Sequence, residues 1–155
     1  MPKTKASPGW RTRVPFDIMP RPHGKPRVVP KPRAAGTMQI LTPLLVAEKI
    51  RRIRRGGLRT PAELRARLAS RFEADRTSPL TMGILLHIVA GATVEQLAAS
   101  RRPTAPCRRM VGGNGFLNPK LPPGPGRQAA HLRGEGRQVR RLPGSGRRQV
   151  LGVAR

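Results

Sequence analysis

A single cysteine, Cys107, stands in the stretch "TAPCRRMVGGNGFLNPK", behind Pro106, before the pair Arg108 and Arg109, and ahead of a glycine-rich turn. A thiol beside two guanidinium groups has surroundings that favour a thiolate, because nearby positive charge stabilises the anion. A thiolate is a nucleophile and could accept a group covalently. Cysteine is also among the residue types most often buried, where it serves as inert packing. The local spacing leaves both readings open. One cysteine makes no internal disulfide and no structural zinc site. The three histidines, His23, His87 and His131, lie too far apart to show metal-ligand spacing, so neither a metal nor a cofactor is expected.

The charge is more decisive. In 155 residues there are 32 Lys and Arg against 7 Asp and Glu, a formal net charge of +25. Such a chain repels itself unless an anion neutralises it, and the abundant anionic polymers are nucleic acids. A solvated basic surface is the plainer alternative, and an anionic membrane surface a third. No run of about 18 apolar residues is present, so no bilayer-spanning segment is expected. The basic N-terminus is interrupted by prolines and followed by no apolar region, unlike a secretory signal. These features predict a nucleic-acid-associated protein of the cytoplasm.

The elements that must position Cys107 can be read from their caps. Residues 1–36 are rich in Pro, Lys and Arg, as in "PRPHGKPRVVPKPR". Proline fixes φ and removes backbone donors, so this stretch is expected to be a disordered basic arm without ladder or helix. Trp10 and Phe16 could dock on the domain or stack on a base. The domain itself is placed at 37–155. "TMQI" reads as a short strand. "TPLLVAEKIRRIRRGG" predicts a helix capped by Thr42, with Pro43 at its first position, Gly56 as its stop, and Val46, Ile50 and Ile53 on one face. "RTPAELRARLASRF" repeats the pattern with a Thr60–Glu63 capping box and an apolar stripe of Leu64, Leu68 and Phe72. A third helix starts at Ser78–Pro79 and is bounded by Gly91. A short fourth begins with a second box, Thr93 to Gln96. Another is expected from Arg127 to about Gly134. "RQVRRL" and "RRQVLGV" around "PGSG" predict a basic hairpin that could act as a wing, the alternative being a frayed tail.

Two consecutive helices joined by a turn satisfy the requirement for a helix-turn-helix, although two helices packed in a small core give the same pattern. The fold class expected is therefore mainly α: a winged-helix-like domain with a small C-terminal β-hairpin behind a basic arm.

The segment "APCRRMVGGNGFL" resembles the active-site loop of the O6-alkylguanine-DNA alkyltransferases, whose motif is P-C-H-R-V followed by V-G-x-x-G-x-L. Pro106, Cys107, Arg109, Val111, Gly112, Gly115 and Leu117 match it. "LRTPAELRARLA" resembles the first helix of that family's helix-turn-helix, "LTMGILLHI" its recognition helix, and "RQAAHLRGEG" the helix ending in Glu-Gly. The order of elements agrees from roughly Thr37 to Gly136. The alkyltransferase-like branch, with its proline-rich basic start and "LNPK" loop, is the more similar group.

The resemblance implies recognition of double-stranded DNA, with or without O6-alkylguanine, in DNA repair, by a monomer. It implies Cys107 as alkyl acceptor and Glu135 as the end of a proton relay whose histidine is here Arg108. Arginine cannot accept a proton at ordinary pH, so that relay is interrupted. Leu80 stands where the family carries an arginine finger, and Pro61 where it carries a tyrosine. An apolar side chain can still act as a wedge between bases. Thr81 and Met82 are expected to face the groove, and Arg109, Gly113 and Asn114 to line the pocket loop, with arginines on phosphates. Three functions follow as expectations: a DNA-binding alkyltransferase-like protein, an active suicide methyltransferase using Cys107, or a basic RNA-binding or nucleoid protein.

Overall fold

Every α-helix among the described residues begins on a proline, and what precedes that proline shows why it starts there. A computed structural model describes residues 27–30, 37–103 and 105–152. Helix α1, Pro43–Arg51, is capped by the Thr42 side chain, which accepts from the Leu45 amide at 3.3 Å. Helix α2, Pro61–Arg71, carries the complete capping box: Thr60 Oγ1 accepts from the Glu63 amide, and Glu63 Oε2 accepts from the Thr60 amide at 2.7 Å. Helix α3, Pro79–Ala98, is capped by Ser78. Helix α4, Pro125–Gly134, follows Gly124 and has no side-chain cap. Proline at the first helical position loses a donor that would be unpaired anyway, and its φ already suits a helix.

The protein is mostly helical, with a small two-stranded antiparallel sheet near the C-terminus. That sheet pairs β4, Val139–Arg141, with β5, Arg148–Val150. The basic hairpin expected around "PGSG" therefore forms. A second, three-stranded sheet joins β1 (Arg27–Pro30), β2 (Thr37–Ile40) and β3 (Arg76–Thr77), with β1 antiparallel and β3 parallel to β2. The aspartate that leads into β3 ties it to β2: Thr37 donates through its amide and its hydroxyl to Asp75 Oδ2.

The core has two parts. The larger gathers Val46 and Ile50 of α1, Leu64 and Leu68 of α2, Met82 and Val89 of α3, and Cys107. The smaller joins Val111 and Leu117 to Ala129 and Leu132 of α4 and to Val139 and Val150 of the hairpin. Val46, Ile50, Ile53, Leu64 and Leu68 are buried on the faces the sequence assigned them, and Phe72 is half-buried.

Three expectations are corrected. Arg27–Pro30 lies in the stretch expected to form no ladder, yet it pairs with Thr37–Ile40. Two adjacent valines favour a strand, and Pro30 is tolerated because β1 is the edge of the sheet among the described residues. The rest of the basic arm, with Trp10 and Phe16, lies outside the described residues.

The third and fourth predicted helices are one helix. Gly91 is buried in the middle of α3 between Ala90 and Ala92. An interior glycine costs a helix about 1 kcal/mol, which burial of the surrounding apolar residues offsets. Thr93 does not cap; its hydroxyl donates to Val89 O, one turn back, and to Ala105 O. The resulting helix has the length and apolar composition to cross a membrane, but much of it is buried inside this fold, where α3 packs on α1 and α2.

Helix α1 ends at Arg51, short of Gly56. Arg51, Arg52, Arg54 and Arg55 repel one another, and the segment after them is fastened elsewhere. Gly56 adopts φ +75°, a conformation that disfavours side chains. Arg55 Nη2 donates to Gly134 O and Arg137 Nε donates to Gly56 O, which draws this turn onto the end of α4.

Candidate functional site: the cysteine turn and the start of helix α3

Cys107 opens a single 3-10 turn, Cys107–Arg109, and is 4% exposed. Its amide donates to Ala105 O, and Met110 N closes the turn onto Cys107 O at 3.0 Å. The sulfur lies 3.9 Å from the Thr93 hydroxyl, against the C-terminal part of α3. Burial pushes the thiol up to about 12, against smaller opposing effects from the Thr93 hydrogen bond and the Arg108 charge. A group in that range is a thiol at neutral pH, and the thiolate is the nucleophile. Desolvation thus outweighs the flanking positive charge, which favours the packed thiol of the two readings that the sequence left open.

The arginines are engaged elsewhere. Arg108 Nε donates to Glu135 Oε1 at 2.7 Å. Arg109 Nε donates to Glu135 Oε2 at 2.9 Å, and its Nη2 to Oε1 at 2.8 Å, forming a two-pronged pair. Arg109 Nη1 also donates to Ile53 O. The Gly56 amide adds a fourth donor group, at 3.2 Å from Glu135 Oε2. The Glu135 side chain is only 6% exposed. Burial alone would raise its pKa, but the bonds from Arg109, Arg108 and the Gly56 amide outweigh it and hold the carboxyl at about 2. A carboxylate this well supplied with donors is a poor proton acceptor.

Arg109 was expected to reach phosphate. It is 9% exposed and its guanidinium is spent on Glu135 and Ile53, so it fixes the fold instead. Gln128, which the sequence reading did not single out, supports the same turn: its Nε2 donates to Arg108 O at 3.0 Å and Met110 O at 2.9 Å. Its spacing with Ala129 and Leu132 on one helix face was the available signal. Gly113 and Asn114 are exposed in the following turn, where Asn114 O accepts from Gln149 Nε2 on the hairpin. Among the described residues, no group of His, Cys, Asp and Glu could hold a metal.

The first turn of α3 places the other predicted residues. Leu80 is 75% exposed. Thr81 is partly exposed and donates its amide to Ser78 Oγ. Met82 is fully buried in the larger core, so it does not face a groove. With 3.6 residues per turn, Leu80 and Met82 point to different sides of the helix, and only one side can be outward.

The structure therefore gathers Arg108, Arg109 and Glu135 into one cluster, turns the sulfur of the adjoining Cys107 toward Thr93, and leaves Leu80 and Thr81 outside it. Thr93, which touches the cysteine sulfur, is 13 residues along α3 from Leu80. At 1.5 Å per residue that is about 20 Å of helix.

Comparison with protein-family models, with curated proteins and with solved structures finds no match for this chain.

Proposed function

We propose that this protein binds duplex DNA as an alkyltransferase-like protein, inserting Leu80 at its reading edge and moving no alkyl group to Cys107. In this reading α2 and α3 form the helix-turn-helix and the β4–β5 hairpin its wing. The observation that carries it is Leu80: a large apolar side chain held in solvent on the capped first turn of a helix that is otherwise the centre of the core. Exposure of one leucine is ordinary, and Leu44 is exposed at the same position of α1, but Leu80 is the more exposed of the two. It stands at the leading end of the second helix, where such folds meet a groove, in a chain of net charge +25.

The chemistry of the cysteine turn supports binding over transfer. Displacement of an alkyl group needs a thiolate at the attacking position and somewhere for its proton to go. Cys107 is a buried thiol, and Glu135 is occupied by two arginines. The about 20 Å of helix between Leu80 and the residue touching the sulfur also separates the proposed wedge from the thiol.

Fluorescence titration of the full chain with intact duplex, O6-methylguanine duplex and structured RNA tests this. The expected result is tighter binding to both duplexes than to RNA, weakening steeply with salt, since each neutralised phosphate releases a counterion. Equal or tighter binding to RNA, or binding indifferent to salt, would overturn it.

A further inference from the structure

Between the C-terminal end of α1 and helix α2 lies an open cleft of about 500 Å³. Its walls carry Lys49, Arg52, Arg54, Arg59 and Arg67, its apolar lining is Ile53 and Leu64, and no acidic side chain lines it. Of the five cations, Arg52 alone has a carboxylate partner among the described residues, Glu48 at 2.8 Å. Arg59 Nη1 donates to the neighbouring Leu58 carbonyl. Arg54 and Arg67 are exposed, and neither is paired with an acid among the described residues.

Like charges around one concavity repel, and low-dielectric walls focus their field into it. The Lys49 ammonium is held below the usual lysine range first by burial, then by the charges of Arg71, outside the cleft, and of Arg52 and Arg67, which line it, while Glu48 opposes them. An anion seated there would offset that repulsion. Four of the five cations are arginines, whose planar forks meet phosphate oxygens in pairs. The volume falls in the range of ligand sites and exceeds what one phosphate needs.

We propose that this cleft seats the sugar–phosphate backbone of a nucleic-acid strand, as a contact separate from the first turn of α3. The proposal deepens the DNA-binding reading and rests on it for the identity of the strand; the phosphate chemistry rests on the cleft alone. Arginines on phosphates fix register and orientation without reading sequence, so the cleft adds affinity and leaves discrimination to α3.

The test uses the full chain with Arg54→Ala/Arg67→Ala, and Arg102→Ala/Arg127→Ala as a charge-matched control outside the cleft. Binding to intact duplex is measured across salt concentrations. Removing two phosphate contacts should lower the log–log salt slope by about 1.8, at roughly 0.9 per contact. The control should change it less, and Arg54→Lys/Arg67→Lys should largely preserve it. An unchanged slope in the cleft variant, or an equal loss in the control, overturns the proposal. If the wild-type chain binds no nucleic acid, the DNA-binding reading fails separately. Titration with inorganic tripolyphosphate then decides the cleft: saturable NMR shifts at the Ile53 and Leu64 methyls uphold a phosphate site, and silent methyls remove it.

Discussion

Arg108 and Glu135 are joined by a 2.7 Å hydrogen bond, so the side chain that follows the cysteine closes off the carboxylate that would have to drain its proton. Incubation with O6-methylguanine duplex should add no methyl mass to the wild-type protein. Arg108→His should also stay unmodified, because Arg109 keeps its two-pronged hold on Glu135 and the thiol stays buried. A methyl adduct on Cys107 in either protein, seen by intact mass, would show that the thiol is reached in spite of its surroundings.

Glu135 should matter more to stability than to binding. Glu135→Gln leaves Arg109 buried without its counter-charge, a loss on the order of 3 kcal/mol in urea unfolding. The pH dependence follows from the same pair. The carboxyl is held at about 2 in the folded chain against an ordinary 4.5. Its contribution is complete above the unfolded value and is lost as pH falls from there through the folded one. Wild-type unfolding midpoints should drop in that acid window, and Glu135→Gln should flatten the drop.

Leu80 and Met82, two residues apart on α3, should separate binding from folding. Leu80→Ala should leave the unfolding midpoint nearly unchanged and reduce the preference for O6-methylguanine duplex over intact duplex, since unstacking costs least at a damaged pair and only a filled gap offsets it. Met82→Ala should cost about 3 kcal/mol of stability through the cavity it leaves. Equal weakening on both duplexes by Leu80→Ala would remove the wedge from the account.

Gln39 and Thr77 are register partners on β2 and β3, both buried, and their side-chain polar atoms have no hydrogen-bond partner among the described residues. Thr77→Val replaces the orphaned hydroxyl with a methyl of the same shape. It should raise stability by about 1 kcal/mol, since an unmade buried hydrogen bond carries the full cost of desolvation. A fall in the thermal midpoint would mean that the hydroxyl is satisfied in solution.

The helix starts were legible because a cap is local: Thr42–Pro43, Thr60–Pro61 and Ser78–Pro79 each hold within four residues all that the first turn requires. The hairpin was legible for the same reason. The passage of α3 through Gly91 was not, because it depends on what α1 and α2 lay against that glycine. Pairing of Arg27–Pro30 with Thr37–Ile40 was hidden by the prolines around it. The site divided the same way. Cys107, Arg108 and Glu135 could be named from the motif, but whether the arginines serve the thiol or the carboxylate depends on a contact 26 or 27 residues distant. The cleft drew cations from two helices and the turn between them, which no single window shows together.

Arg109 sits in the protein interior, and its carboxylate partner is 26 residues further along the chain. A ribosome therefore delivers the positive charge before the negative one. Without residue 135 the cysteine turn can settle against Ile53 only by burying a guanidinium that lacks its counter-charge. The seam between that turn and α1 is therefore conditional on an acid at the far end of another helix, one of only 7 Asp and Glu in the chain.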